Sequence, residues 1–449
     1  MEFNTDYRTE RFALNTQWEQ LPEAVKEHAL MSSLDIMIAL ILGSYGKQFE
    51  AGEKLANIMG MTGEIPIIGS DKTYNLLGAT IAMAHASNSF DIDDGHRQIQ
   101  GHPGTSFIGG VLAAAIQQNI KYKEFLSVLV TCYELTIRWA LAMQKDYNFL
   151  HSTGTYGAFG TALGIGRLLR FNEKQLNNAL SIADYHAPLT PVMRAVEYPS
   201  MNKDGVPFGA LVGAMAVLET ICGSTGRTHI LEKPEYKEHL ENLGKKWHIL
   251  ELYYKPYTCC RWAHQPIQAI IDLMKEHKLV YEDVERVKIS TFLSAARLSK
   301  IEPSNTDEAQ YNIAWPVASA LVYGDVGFPQ IREDALKDKK VLGMMKKLSF
   351  EVNPDLDALF PSKRLAFVEI FMKDGCHYQS KAYEAPGEMD DPELNLLWIQ
   401  NKFKRITRWM LDEDKQEELI KILANPNYDI TIRELVLKTN KFLINKKLL

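Results

Sequence analysis

Between about residue 16 and residue 280 the chain repeats its apolar residues at helical spacing, and several of those stretches are built from glycine and alanine. Met31, Leu34, Met37, Ile38, Leu40, Ile41 and Leu42 form one broad apolar stripe, and residues 126–143 and 163–169 keep a similar period. GTSFIGGVLAAA (residues 104–115), GTYGAFGTALGIG (154–166) and GALVGAMAVLE (209–219) carry small side chains that let helices approach closely. In a bilayer such faces drive the association of spanning helices. Here the apolar runs are short and interrupted, so the pattern predicts a helix bundle buried in its own protein, with no membrane partner.

Near residue 284 the texture changes. VERVKISTF (284–292) reads as a strand and residues 307–323 as a helix. RLAFVEIFM (364–372) and CHYQSKAYE (376–384) are joined by Lys373-Asp374-Gly375, a hairpin signature. After Glu393 the pattern returns to helix. The expected fold is therefore mainly α. A large all-helical domain is formed from residues 1–280 and 393–449, and a smaller α+β lid domain, 281–392, is inserted before the C-terminal helices. A length of 449 residues suits such a two-domain division.

The formal net charge of −6 excludes bulk attraction to nucleic acid or anionic lipid, so an anionic ligand must be drawn by local cations. The first twenty residues are polar and lack a signal-peptide apolar core. Residues 29–45, the most apolar early stretch, are interrupted by Asp35 and too short to span a bilayer. Five cysteines, odd in number and without CxxC spacing, point to reduced thiols in a cytoplasmic protein rather than to a zinc or iron–sulfur site.

Four segments carry the candidate chemistry. In HASNSFDIDDGHRQIQGHPG (85–104), Asp91, Asp93, Asp94, His96 and His102 crowd into a dozen residues without helical period. The loop runs into a helix N-terminus, a place suited to anions. Its carboxylates and imidazoles could do acid–base work, hold a divalent metal, or form a structural hydrogen-bond network. His151 precedes Ser152-Thr153-Gly154, where a helix cap is the simpler role. Lys203 sits in a turn before another small-residue helix. In KPYTCCRWAH (255–264), Lys255, Arg261 and His264 are packed among aromatics and the thiols Cys259 and Cys260. Cations against apolar surroundings suit multiple carboxylates, and arginine grips them bidentately.

Taken in order, these segments resemble the MmgE/PrpD superfamily of 2-methylcitrate dehydratases, cis-aconitate decarboxylases and iminodisuccinate epimerases. The resemblance is carried by Leu21-Pro22 with LMSSLDIMIALILGSYG (30–46), by the His85 to Gly104 block with its Asp91-Ile92-Asp93-Asp94 and His102-Pro103-Gly104, and by HSTGTYGAFGTALGIGRLL (151–169). LVGAMAVLETICGSTG (211–226), YKPYTCCRWAHQPIQAIIDL (254–273), AQYNIAWPVASALVYGD (309–325) and PELNLLWIQNKF (392–403) complete seven ordered blocks. It implies a homodimer that needs no metal, nucleotide or flavin cofactor. The implied activity is a cofactor-independent lyase, a dehydratase or decarboxylase that removes a proton next to a carboxylate of a small di- or tricarboxylate. An isomerase or epimerase of a small dicarboxylate is the alternative, and a non-catalytic carboxylate-binding protein the third.

Carried over by position, the catalytic set is Asp91, His102, His151 and Lys255, with Arg261 and His264 nearby and Lys203 as a further substrate-binding cation. Residues 309–315 would close over the substrate. Two positions depart from the family pattern. The threonine that commonly follows the Asp pair is Gly95, and a basic residue often found just before the 211–226 block falls on Leu211. His96 and Arg97 are then the expected alternative anchor for the substrate.

Overall fold

The glycine-rich stretches become helix–helix contact faces in the computed structural model, which describes residues 6–147 and 149–445. The helix Thr153–Leu168 packs against both Pro103–Gln117 and Val206–Ile221, and Leu76–Ser87 closes the group. A Cβ placed on Gly154 would run into the carbonyl of Gly205, and one on Gly209 into the carbonyl of Gly154. Backbone, not a flexible side chain, stands in the way, so these helices meet only because the residues are glycine.

Among the described residues, two helices are long and apolar enough to cross a membrane by length and composition. Tyr122–Asp146 runs 25 residues without the interruption expected from sequence. Its apolar window is 94% buried inside the protein, so its composition is accounted for by the core. The other, from Lys203 to Ile221, is half buried, and Phe208, Met215 and Ile221 stand exposed on it.

The stretch 1–280, expected to be all helical, also holds two small sheets. Strands β1 (Thr62–Pro66) and β2 (Thr73–Tyr74) pair antiparallel, as do β3 (Gly95–His96) and β4 (Leu252–Tyr253). Strands of two residues have no period to read, and the β3–β4 partners lie some 157 residues apart.

The third sheet has four strands in the order β6-β5-β7-β8: β5 is Val284–Thr291, β6 Leu348–Val352, β7 Ala366–Met372 and β8 His377–Gln379. β5 and β6 are parallel and the other pairs antiparallel. The β7–β8 hairpin turns at Lys373–Cys376, with Gly375 at φ 90°. Alternate residues of β7 are buried, and the strand packs on the helix His264–Glu276. Val287, Ile289, Val368 and Ile370 from this sheet join the same continuous core as the helices. The helix Leu396–Thr407 then packs on Glu23–Gly43, so the C-terminal segment returns to the first helices.

The helix expected over 307–323 is two helices, Thr306–Gln310 and Ala314–Tyr323. Between them the Asn312 side chain accepts from the amide of Trp315, 2.8 Å away, and caps the second. The break turns Tyr311 inward, with consequences for the site.

Candidate active site

The β3–β4 pairing lays the Asp-rich loop directly over the segment that carries Lys255. Lys255 is fully buried, and its Nζ lies 2.7 Å from Asp91 Oδ1, 3.0 Å from the Asp91 carbonyl and 3.1 Å from His102 Nδ1. His102 Nδ1 in turn lies 3.0 Å from Asp93 Oδ2, a contact of charge rather than of alignment, since neither Asp93 oxygen receives an aligned hydrogen bond. Asp204 completes the group: one oxygen from it, one from Asp91 and a ring nitrogen of His102 fall within 4.8 Å of one another. Asp91 and Asp204 both have left-handed backbones, with φ of 50° and 57°, a conformation aspartate adopts at some cost. Asp204 is held there by Asn88, at 3.2 Å, and by the Tyr311 hydroxyl, at 2.9 Å.

The charges follow from these contacts. Burial and Lys255 both oppose protonation of His102, yet the carboxylates of Asp93 and Asp204 outweigh them and raise its pKa to about 10. For Asp93, burial is outweighed by His102 and Lys255, and its pKa falls to about 2. Burial would discharge Lys255, but Asp91 and Asp93 hold it well above the ordinary lysine value. Carboxylates thus flank both basic groups and favour the charged form of each. A divalent cation on Asp91, His102 and Asp204 would compete with an ammonium already seated on two of them.

A second tier supports the loop from below. Lys402, on Leu396–Thr407, donates to the Ile92 carbonyl (2.8 Å) and to Asp35. Burial raises Asp35 to about 6 despite Lys402, and lowers Lys402 despite Asp35. Asp94 accepts from the Gly104 amide (3.0 Å) and from the Tyr133 hydroxyl, so it caps the helix Pro103–Gln117; burial lifts it to about 7.

The other residues singled out from sequence lie elsewhere or are already engaged. His151 faces a separate cavity of about 10 Å³ beside Trp139, Met143 and Tyr156, its ring against Tyr147 and Phe149. Both its ring nitrogens are buried without a partner among the described residues, and burial lowers its pKa. Lys203 points its ammonium at the Ser89 carbonyl (3.0 Å) and Gln310, with Asp307 at 3.8 Å. His96 pairs with Glu251 at 3.1 Å, and His248 shares that carboxylate. Arg97 binds Glu384, Glu388 and the Ser362 carbonyl. Arg261 spends its guanidinium on Glu388 and on the carbonyls of Ala385 and Pro386. His264 donates to the Cys259 carbonyl (2.9 Å), and burial and Arg261 keep it neutral. Leu211 is half-buried among apolar neighbours.

A cavity of about 50 Å³ opens on the group, lined by Asp91, His102, Asp204, Tyr253, Tyr311 and Arg364, among others. Sequence reading missed Asp204, Tyr253 and Arg364, and had Tyr311 only as part of the 309–315 segment expected to close over the substrate. Asp204 adjoins Lys203 in a turn, and Tyr311 falls in a helix break that Asn312 foreshadows; Tyr253 and Arg364 carry no local signal. Gly95 is explained here as well. A Cβ on it would overlap the Tyr253 ring, so a threonine cannot stand at that position while Tyr253 lines the cavity.

The same chain is matched by the MmgE/PrpD N-terminal domain over residues 8–237 and by the MmgE/PrpD C-terminal domain over 257–427. It is 23% identical over 441 residues to a cis-aconitate decarboxylase-like protein of Aspergillus oryzae, covering 89% of each chain. To a cis-aconitate decarboxylase of Aspergillus terreus it is 22% identical over 446 residues, covering 91% of this chain and 90% of the other.

Proposed function

The chain belongs to the MmgE/PrpD family, and from that premise we propose that it is a cofactor-independent lyase, a decarboxylase or dehydratase, of a small di- or tricarboxylate. The observation that carries the reading is the contact of His102 with Lys255 beside Asp91, next to one buried cavity. Loss of carbon dioxide, or of a proton next to a carboxylate, leaves an electron pair that delocalises onto a neighbouring carboxylate. Positive charge fixed beforehand stabilises that electron pair without reorganisation, and Lys255 supplies it. In decarboxylation the carbon–carbon bond to the leaving carboxylate breaks and His102 delivers a proton to the carbon left behind. In dehydration Asp91 takes the proton from carbon while His102 protonates the departing hydroxyl.

An epimerase needs acid–base groups on opposite faces of one carbon. The separation of His151 from His102 into different cavities favours the lyase. A cavity of about 50 Å³ holds a few waters and not a tricarboxylate. Turnover therefore includes an opening step in which the 281–392 unit, which supplies Tyr311 and Arg364, acts as a lid. The same reading carries a homodimer in a reducing cytoplasm. A second copy would cover Phe208, Met215 and Ile221, and sedimentation should give twice 50.9 kDa.

The test is incubation with cis-aconitate, citrate and 2-methylcitrate in deuterated water, following carbon dioxide, alkene absorbance and deuterium uptake. Carbon dioxide or a new alkene supports the lyase. Deuterium exchange with inversion and no alkene would replace it with the epimerase.

A further inference from the structure

Arg364 has a buried guanidinium two of whose nitrogens lack a hydrogen-bond partner among the described residues. Its side chain is 1% exposed, and Nε and Nη1 are fully buried without a hydrogen-bond partner. Among the described residues no carboxylate comes within ion-pair distance of it. Arginine cannot shed its proton to escape this situation, so a buried, unpaired guanidinium is among the costliest arrangements a fold can retain. The neighbouring arginines show what satisfaction looks like. Arg261 and Arg97 divide the two oxygens of Glu388 between them, at 2.9 and 2.7 Å. Glu388 feels the charge of Arg364 but makes no ion pair or hydrogen bond with it.

Arg364 is one of the residues lining the cavity that also holds Asp91 and His102, and its two unpartnered nitrogens are buried at that edge. The guanidinium lies over the Tyr253 ring, 5.2 Å from its centroid, while Arg261 sits 4.9 Å from the same ring. Tyr253 can occupy that place only because its strand partner is Gly95. The loss of a hydroxyl at residue 95 and the presence of an aromatic platform for a free arginine are therefore one structural fact.

We propose that Arg364, seated on Tyr253, is the residue that binds a carboxylate of the substrate, in the role for which Gly95 has no side chain. This rests on the carboxylate-lyase reading above. The planar guanidinium offers two parallel N–H donors to a carboxylate, and in a buried site that pairing relieves the cost the free protein carries. A substrate with two or more carboxylates would place one on Arg364 and present the reacting carbon to His102 and Lys255.

The experiment compares the whole protein with Arg364→Gln and Arg364→Lys. Calorimetry with cis-aconitate, citrate, 2-methylcitrate and tricarballylate measures affinity, steady-state kinetics separates KM from kcat, and thermal unfolding is recorded without ligand. Arg364→Gln should weaken binding and raise KM about thirtyfold, as for loss of a charge-assisted pair, with a much smaller change in kcat. Arg364→Lys should recover part of the affinity. The unliganded Tm of Arg364→Gln should equal or exceed that of the wild type, because a buried charge with two unpartnered donors has been removed. A lower Tm would mark the arginine as structural and overturn the assignment. Tight binding by the wild type that persists within twofold in Arg364→Gln would overturn the assignment alone. A wild type that neither binds nor turns over any of these acids would overturn the lyase reading, and the anchor with it.

Discussion

Asp93→Asn perturbs the charge that keeps His102 protonated. In the intact site burial and Lys255 disfavour the imidazolium, and Asp93 and Asp204 together raise its pKa from 6.5 to about 10. That rise corresponds to about 5 kcal/mol of preference for the charged form, at about 1.4 kcal/mol for each tenfold change. With Asp93 neutral, the carboxylate that most raises His102 is gone while burial and Lys255 still oppose the imidazolium, so the His102 pKa falls. If His102 is the proton donor, the alkaline limb of kcat/KM moves down from near 10 with it. The variant loses about tenfold in rate, relative to wild type, for each unit by which the limb moves, and the loss shrinks toward pH 5.5. Initial rates with whichever acid turns over, measured from pH 5.5 to 10, give the answer. An alkaline limb that stays near 10 in the variant would remove His102 as the donor.

The same pair fixes a stability profile. His102 is raised, so its contribution is complete below pH 6.5 and is lost as pH climbs through 10. Asp93 is lowered to about 2, so its contribution is complete above pH 3.8 and is lost as pH falls through 2. The stability difference between wild type and Asp93→Asn should therefore be greatest between about pH 4 and 6.5 and shrink toward pH 10. Urea midpoints at pH 6 and pH 9.5 measure it.

Three further outcomes are expected. Lys255→Met removes the only ammonium in contact with Asp91 and His102 among the described residues, so turnover should fall by more than about a hundredfold; activity within tenfold of wild type would show that Lys255 does not face the developing charge. Gly154→Ala sets a methyl against the Gly205 carbonyl and should cost about 1–3 kcal/mol in chemical denaturation, with an unchanged midpoint refuting that contact. Lys402→Met leaves Asp35 and the Ile92 carbonyl without their cation and should cost about 3–5 kcal/mol, most of it recovered by adding Asp35→Asn; a double variant as unstable as the single one would show that the charge pair is not the source.

Legibility followed the range of each signal. Helical period spans consecutive turns of one segment, so the bundle, the change near residue 284 and the β7–β8 hairpin could be read from the residues themselves. The same holds for the small-residue faces, because glycine spacing along one helix already implies a close neighbour. Sheet strands β3 and β4 could not be read, since each is two residues long and gains meaning only from a partner far along the chain. The candidate cations divide in the same way. Lys255 and Arg261 look alike in sequence, both cations among aromatics, but the tail from Ala385 to Glu388 folds over Arg261 and takes its donors while Asp91 takes Lys255. Which cation is left free is decided by segments more than a hundred residues away.

Gly95 shows how a departure from pattern should then be weighed. Read locally, it is a missing hydroxyl, and the basic residues that follow it, His96 and Arg97, are the nearest replacements. Both turn out to be engaged, one by Glu251 and the other by Glu384 and Glu388. A glycine deletes a side chain at its own position and also permits one at its strand partner, and here the partner is Tyr253. The ring that fills the space carries Arg364, from the segment just before β7, into the same cavity as His102. The compensating residue is thus separated from the departure by pairing and not by sequence. A substitution at Tyr253 and one at Arg364 should accordingly behave as neighbours, with non-additive effects on binding.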